Sequence, residues 1–424
     1  MLRKTLVGLL VFPLFLHAQM PTTKALEKLE KKVIEWRHDI HQNPELSNRE
    51  FRTAKKVADH LRSLGMEVQT GVAHTGVVGL LKGKRPGKVV ALRADMDALP
   101  VTERNALPYR SKVMAEYNGQ EVGVMHACGH DTHVAILMGV AEHLAKNNDF
   151  AGAVKFIFQP AEEGAPEGET GGAKLMVQEG VLENPKVDAI FGLHINSGTH
   201  VGEINYKPGG TMAASQRFVI KIKGQQAHGS TPWQSKDPIV TAAQIIDGLQ
   251  TIISRNAELT KEAAVISVGS IHGGVRFNII PETVEMIGTI RTLDREMKEK
   301  IRERMQQLVP KIAEAYGAEA TIEIQDGTDI TFNDPALTAQ MLPTLEKVAG
   351  KENINLINAI TGAEDFSYYQ QKVPGVFFFL GGTPLDMAEA DAPSHHTPDF
   401  IIDDSSMLLG VKALSQMALD YLSK

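Results

Sequence analysis

The chain holds one cysteine, no low-complexity tract, no internal repeat and, beyond its first residues, no apolar stretch long enough to span a membrane. Each absence excludes something. One thiol cannot close an internal disulfide, so a disulfide-framed scaffold is ruled out. Without a spanning stretch, the chain left after removal of an N-terminal signal is expected to keep clear of the membrane. Positive charge is not in excess either: the formal net charge of −7 argues against nucleic acid as the main partner.

What remains is a soluble globular composition over 424 residues, more than one compact core usually organises, so two domains are expected. Within Met1–Gln19, Arg3 and Lys4 precede an apolar run from Leu6 to Leu16. That layout is a secretory signal, with cleavage near Ala18 or Gln19 and a periplasmic or secreted product. The run is too short to serve as an anchor, and no cysteine stands near the cleavage region to carry a lipid. Loss of Arg3 and Lys4 takes the net charge to about −9.

The lone cysteine lies in His126-Ala-Cys-Gly-His-Asp-Thr-His133, which packs three histidines and an aspartate around it. Thiolate, imidazole and carboxylate are the donors of a zinc-like ion. Gly129 permits a tight turn that lets Cys128 and His130 face one ion. The apolar run from Val134 to Ala145 reads as a helix that Asp131 or Thr132 caps. A buried cysteine among surface histidines is the plainer alternative, and the density of donors weighs against it.

Apolar positions at helical spacing cover 22–64, broken at Pro44. Strands follow at 66–70, 77–82 and 89–92, the last two joined by a Gly83–Gly87 turn. The third leads into Arg93-Ala-Asp-Met-Asp-Ala-Leu-Pro100. After the helix at 134–146, strands at 153–158 and 189–194 flank a helix at 171–179. Strands alternating with helices predict a mostly parallel, helix-covered α/β sheet, with ligand sites at the carboxyl ends of its strands. From Met212 the order becomes β-α-β-β-α-β, that of a ferredoxin-like unit. The expected division is a signal at 1–19, a catalytic domain at 20–211 and 328–424, and an inserted lid at 212–327.

Five stretches place potential ligands next to predicted strand ends or turns: Asp95/Asp97, Cys128/His130, Glu162/Glu163, His194 and His395/His396. A two-metal hydrolytic site needs such donors to converge, plus a carboxylate free to take a proton from water. Two adjacent glutamates can divide that work.

RADMDALP at 93–100, HACGHDTH at 126–133, QPAEEG at 159–164, GGAKLM at 171–176 and FGLH at 191–194 occur in this order. AHGSTPW at 227–233, DPI at 237–239, RFNIIPE at 276–282, GTIRT at 288–292, AEDFS at 363–367 and HHTPDF at 395–400 follow. Across essentially the whole mature chain this resembles the M20 metallopeptidase family in its amidohydrolase branch, which holds N-acyl-amino-acid, hippurate and plant auxin-conjugate hydrolases. The resemblance implies an α/β catalytic domain with a ferredoxin-like lid that often mediates a homodimer. It implies two divalent ions held by Cys128, His130, Glu163, His194 and His396, with Glu162 as general base and Asp97 orienting a ligand histidine. His396 is preferred to His395 for its place before Thr-Pro. Where the family more typically has His-x-Asp, this chain has Asp95-Met-Asp97, so Asp95 is not assigned as a ligand. His228 matches a lid histidine that steadies the oxyanion, and Asn278 and Arg291 match lid positions that hold the substrate carboxylate. His126, Asp131 and His133 are read as supporting groups. The donor set suits zinc, with manganese, cobalt or nickel as alternatives.

The activity this implies is hydrolysis of N-acyl amino acids. Carboxypeptidase or dipeptidase action, glycan or cell-wall deacylation, and non-catalytic metal-dependent binding are the competing readings; Glu162 weighs against the last. A serine-hydrolase reading with Ser230 lacks the G-x-S-x-G elbow.

Overall fold

The computed structural model describes residues 23–423, so the export signal expected at Met1–Gln19 lies outside the described residues. Eight strands form one sheet in the order Glu67–Val72, Gly76–Lys82, Ala151–Gln159, Arg85–Asp95, Ala189–His200, Gly375–Thr383, Ile204–Tyr206 and Ile354–Leu356. Its four central strands, from Ala151–Gln159 to Gly375–Thr383, run parallel, and antiparallel pairs flank them. Central parallel strands read as near-continuous apolar runs because both faces are covered. Every residue of Gly375–Thr383 is buried. Helices Thr23–Gln42, His130–Lys146 and Met407–Leu422 cover one face. Ala173, Met176, Phe366 and Tyr369 cap the other. Phe156, Phe158 and Phe378 are fully buried between these layers, and each such side chain stabilises by about 1.5–3 kcal/mol.

The second unit is a four-stranded antiparallel sheet in the order Ala264–Gly273, Thr283–Thr292, Ala214–Lys223, Glu319–Asp326. Phe218, Ile220 and Ile222 pack beneath helices Pro238–Asn256 and Arg295–Ala315 through Ile245, Leu249, Met305 and Val309. The opposite face is open, and burial alternates along Ala214–Lys223 accordingly. The fold class is therefore the expected one: a mostly parallel, helix-covered α/β sheet with a ferredoxin-like lid. No helix among the described residues is long and apolar enough to cross a membrane.

Three local expectations are corrected. The Gly83–Gly87 turn is shorter than predicted, because strand Arg85–Asp95 begins inside it and joins its neighbour through a bulge between Arg85 and Val89. Helix His130–Lys146 starts within the histidine cluster, and neither Asp131 nor Thr132 caps it; Gly129 stands at that position. Ala189–His200 runs on past His194.

Candidate metal centre

Parallel register carries the functional residues to one edge of the sheet. Asp95 pairs with Gln159, Arg93 with Gly192, and His194 with Phe379. Beyond Gln159 the chain turns through Ala161, whose φ of 51° is uncommon for a residue with a side chain. Glu50 Oε1 accepts the Ala161 N–H at 2.9 Å, and the Asp97 carboxylate accepts the N–H groups of Glu162 and Glu163 at 3.0 Å each. These anchors fix the turn that presents two consecutive glutamates. Gly129 does the same for Cys128 and His130. Its φ is 91°, and a Cβ there would meet Ile195 Cγ2 at 2.3 Å, so only glycine fits.

The donors converge. Cys128 Sγ lies 3.5 Å from His194 Nε2 and 3.2 Å from His396 Nε2. His396 Nε2 is 3.1 Å from Glu163 Oε1. His130 Nε2 stands 3.9 Å from both Glu162 Oε2 and Glu163 Oε1, while its Nδ1 faces Asp97 Oδ1 at 3.4 Å. His194 Nδ1 donates to the Ile195 carbonyl at 2.6 Å, which leaves Nε2 as the free lone pair. Ligand atoms of Cys128, His130 and His194 lie within 4.8 Å of one another, and so do those of Cys128, Glu163 and His396. Cys128 belongs to both groups. His396, at φ 64°, is held in the left-handed region that few non-glycine residues adopt. His395 packs edge-on against His194, ring centroids 5.4 Å apart, and its Nε2 accepts the Ser197 N–H at 3.1 Å.

The electrostatics point the same way. Burial, reinforced by Glu163 and Glu162, pushes the Cys128 thiol up. Burial, then Glu364 and Glu163, pushes Glu162 well above the usual carboxylate range. Burial and His133 hold His194 neutral. For His130, burial alone would lower the pKa, but Asp95 and Asp97 outweigh it and raise it to about 10. The His130 Nε2 atom is buried without a hydrogen-bond partner among the described residues. Carboxylates, a thiol and imidazoles crowded this closely are stable only with compensating positive charge. The residues present therefore fit two divalent cations, one for each donor group.

A family model for "Peptidase family M20/M25/M40" matches residues 91–420. The chain belongs to peptidase family M20/M25/M40. It is similar to thermostable carboxypeptidase 2 of Saccharolobus solfataricus, 41% identical over 94% of this chain and 98% of that one. It is also similar to an N-acetyl-L-cysteine deacetylase of Bacillus subtilis, 37% identical over 90% of this chain and 86% of that one. Among solved structures, the Bacillus subtilis YXEP protein, a dinuclear metal-binding peptidase of the M20 family, superposes with a TM-score of 0.78. It is 34% identical, over 94% of this chain and 99% of that one.

Around this M20 centre lies a buried polar layer that sequence reasoning only partly found. His133 Nδ1–H donates to Asp95 Oδ1 at 2.5 Å and its Nε2 accepts the Ile195 N–H at 2.8 Å, so neither nitrogen is left for a metal. Asp131 accepts from Arg37 Nε at 3.1 Å and pairs with His41 Nδ1 at 2.9 Å. His126 is buried with both ring nitrogens unpartnered among the described residues, and burial lowers it to about 4. Arg93, which no local pattern marks, is fully enclosed. It donates to Asp95 at 2.7 Å, to Glu364 and Asp365 at 2.9 Å each, and to Gln159 at 2.8 Å. The Asp365 N–H reaches Glu162 Oε1 at 3.4 Å. Ser47 Oγ donates to Asp97 Oδ2 at 2.8 Å. The AEDFS motif at 363–367 was the available signal for Glu364 and Asp365; no comparable signal marked Ser47 or Glu50.

The lid residues are not brought to the centre within this chain. His228 is exposed, and its Nδ1 pairs with Ser230 Oγ at 2.7 Å. The Asn278 carbonyl accepts the Gly229 N–H at 2.9 Å, and the Asn278 Oδ1 is buried without a partner among the described residues. Arg291 donates to Thr289 Oγ1 and to the Ile290 carbonyl.

Proposed function

We propose that this M20 enzyme hydrolyses the amide bond of N-acyl amino acids, releasing a carboxylic acid and a free amino acid. The observation that carries this reading is the placement of Glu162. It sits beside the five-donor cluster, with Oε2 at 3.9 Å from His130 Nε2, and is not needed by either Cys128-containing donor group. Cys128, His130 and His194 would hold one ion, and Cys128, Glu163 and His396 the other. When bound, the ions supply Lewis-acid polarisation of the amide carbonyl and a lowered pKa for water. Glu162, raised by burial and its carboxylate neighbours, accepts the proton of the attacking water and passes it to the leaving amine. Asp97 holds the Glu162–Glu163 backbone and faces His130 Nδ1, which aims Nε2 at the donor cluster. His228 would steady the oxyanion, and Asn278 and Arg291 would hold the substrate carboxylate, from a lid that closes or from a second copy. Exposed Trp233 and Phe277 on the lid, 77% and 95% accessible, support a homodimer through that unit.

Carboxypeptidase action is the second reading, favoured by the similarity to thermostable carboxypeptidase 2. Both reactions release a C-terminal amino acid and differ only in what lies on the acyl side. Metal-loaded protein assayed on N-acetyl-, N-benzoyl- and aminoacyl-amino acids separates them. Turnover confined to the aminoacyl substrates would replace the first reading with the second. Export on Met1–Gln19 belongs to the same proposal and is checked by the mature N-terminus of protein recovered outside the cytoplasm.

A further inference from the structure

Beside Glu163 the surface opens into a cavity of about 360 Å³, within the ~300–1,000 Å³ usual for small-molecule sites. Leu46, Leu99 and Pro100 line it from the catalytic domain. Leu46 bridges to Ala98, so this apolar lining is continuous with the turn that carries Asp97. Tyr117 lines the opposite side from a hairpin, Met114–Tyr117 paired with Gln120–Gly123. Asn118 and Gly119, both at positive φ (51° and 74°), make the two-residue turn that fixes Tyr117 in place.

The charges on this cavity are one-sided. Among the described residues, Arg49 is the only cation lining it. Its guanidinium is committed to Glu169, at 2.6 and 3.2 Å, and to the Asn48 carbonyl at 3.0 Å. Glu116 and Glu167 also line the cavity, and neither has an ion pair or hydrogen bond among the described residues. A substrate carboxylate entering here would find no free cation and two unpaired carboxylates besides Glu163. The amino-acid end of an N-acyl amino acid always carries a carboxylate, whereas the acyl end need not. An apolar acyl group matches the Leu46, Leu99 and Tyr117 surface.

Resting on the N-acyl-amino-acid reading above, we propose that this cavity is the acyl subsite. Tyr117 is its outer wall, and Glu116 and Glu167 select against acyl groups that bear a carboxylate. Specificity of this kind comes from a repulsive element as much as from an attractive one.

The test uses two neutral-headed probes that mimic the acyl half, benzamide and succinamate, titrated into the protein by calorimetry, alongside kcat/KM for N-benzoyl-, N-acetyl- and N-succinyl-amino acids. Benzamide should bind more tightly than succinamate. Tyr117→Ala should weaken benzamide and lower the N-benzoyl to N-acetyl ratio of kcat/KM, each by about tenfold. Glu116→Gln combined with Glu167→Gln should raise the N-succinyl to N-acetyl ratio by about tenfold, more at low ionic strength. Equal binding of the two probes, or probe affinities and ratios unmoved by both variants, overturns the subsite. Probe binding that responds as expected while no N-acyl amino acid is turned over leaves the subsite standing and overturns the substrate reading instead. All three substituted residues lie on exposed loops or strands, so loss of folding does not confound the result.

Discussion

The catalytic sheet and the lid carry their candidate functional residues in opposite ways. On the sheet, Glu162, Glu163, Cys128 and His130 are presented by turns that buried carboxylates and a sterically obligatory glycine hold in place. On the lid, His228 is exposed and, among the described residues, its ring hydrogen-bonds only with Ser230, and Arg291 lies on an open sheet face. The first region is preorganised, so its chemistry is legible from one chain. The second leaves the lid residues of the proposed function without a partner surface among the described residues, so under that proposal their contribution would come from movement or from another copy. The general lesson is that strand ends in a parallel sheet fix geometry through the core, whereas an inserted unit with one open face fixes it only on contact.

The contrast can be broken or sharpened by experiment. Glu162→Gln should retain both ions and lose turnover by about 10³-fold or more, measured as kcat beside metal content; near-normal turnover removes Glu162 as the base. Arg93→Met leaves Asp95, Glu364 and Asp365 buried without their shared cation. It should cost about 3–5 kcal/mol in chemical denaturation, and a loss below about 1 kcal/mol would show that the enclosure is not held by charge. On the lid, His228→Ala should lower kcat by about 10²-fold with unchanged metal content and unchanged denaturation midpoint. If kcat is unaffected, the lid histidine has no part in the reaction. Asp97→Asn should weaken metal affinity by about 10–100-fold through the orientation of His130, read by competition with a chelator.

The smallest effect is a pH dependence. In the ion-free protein, the acidic neighbours of buried His130 raise its pKa to about 10, so at neutral pH the ring holds a proton that a metal must displace. Affinity should therefore increase with pH, by about tenfold per unit for each proton displaced from His130 or from the Cys128 thiol, which burial also keeps protonated. Affinity independent of pH between 6 and 8 would mean that neither His130 nor the Cys128 thiol holds a proton before the ion arrives.

Much of this was legible in the sequence, for identifiable reasons. Dense Cys, His and Glu at the ends of apolar runs mark a metal centre, since such donors are seldom clustered without a use. The β-α-β-β-α-β order marks the lid. What stayed hidden depended on partners far away in the chain. Asp131 looks like a helix cap because it precedes an apolar run, yet its side chain is taken by Arg37 and His41, some 90 residues earlier. Arg93 stands inside a strand motif and gives no local sign of the acidic pair at 364–365 that it binds. The 114–123 hairpin is short and largely exposed, so it lacks the alternation that announces a strand.

Cys128 serves both donor groups and is the only thiol in the chain. If Cys128 holds both ions as proposed, the centre has a single point of failure. Conversion of one sulfur atom to a sulfinate or sulfonate would degrade the coordination of both ions at once, with no second cysteine to form a protective disulfide. In an oxidising environment, the lifetime of the enzyme would then be set by how well its own metals shield that atom, and a chelated sample should age by a chemistry that the loaded one resists.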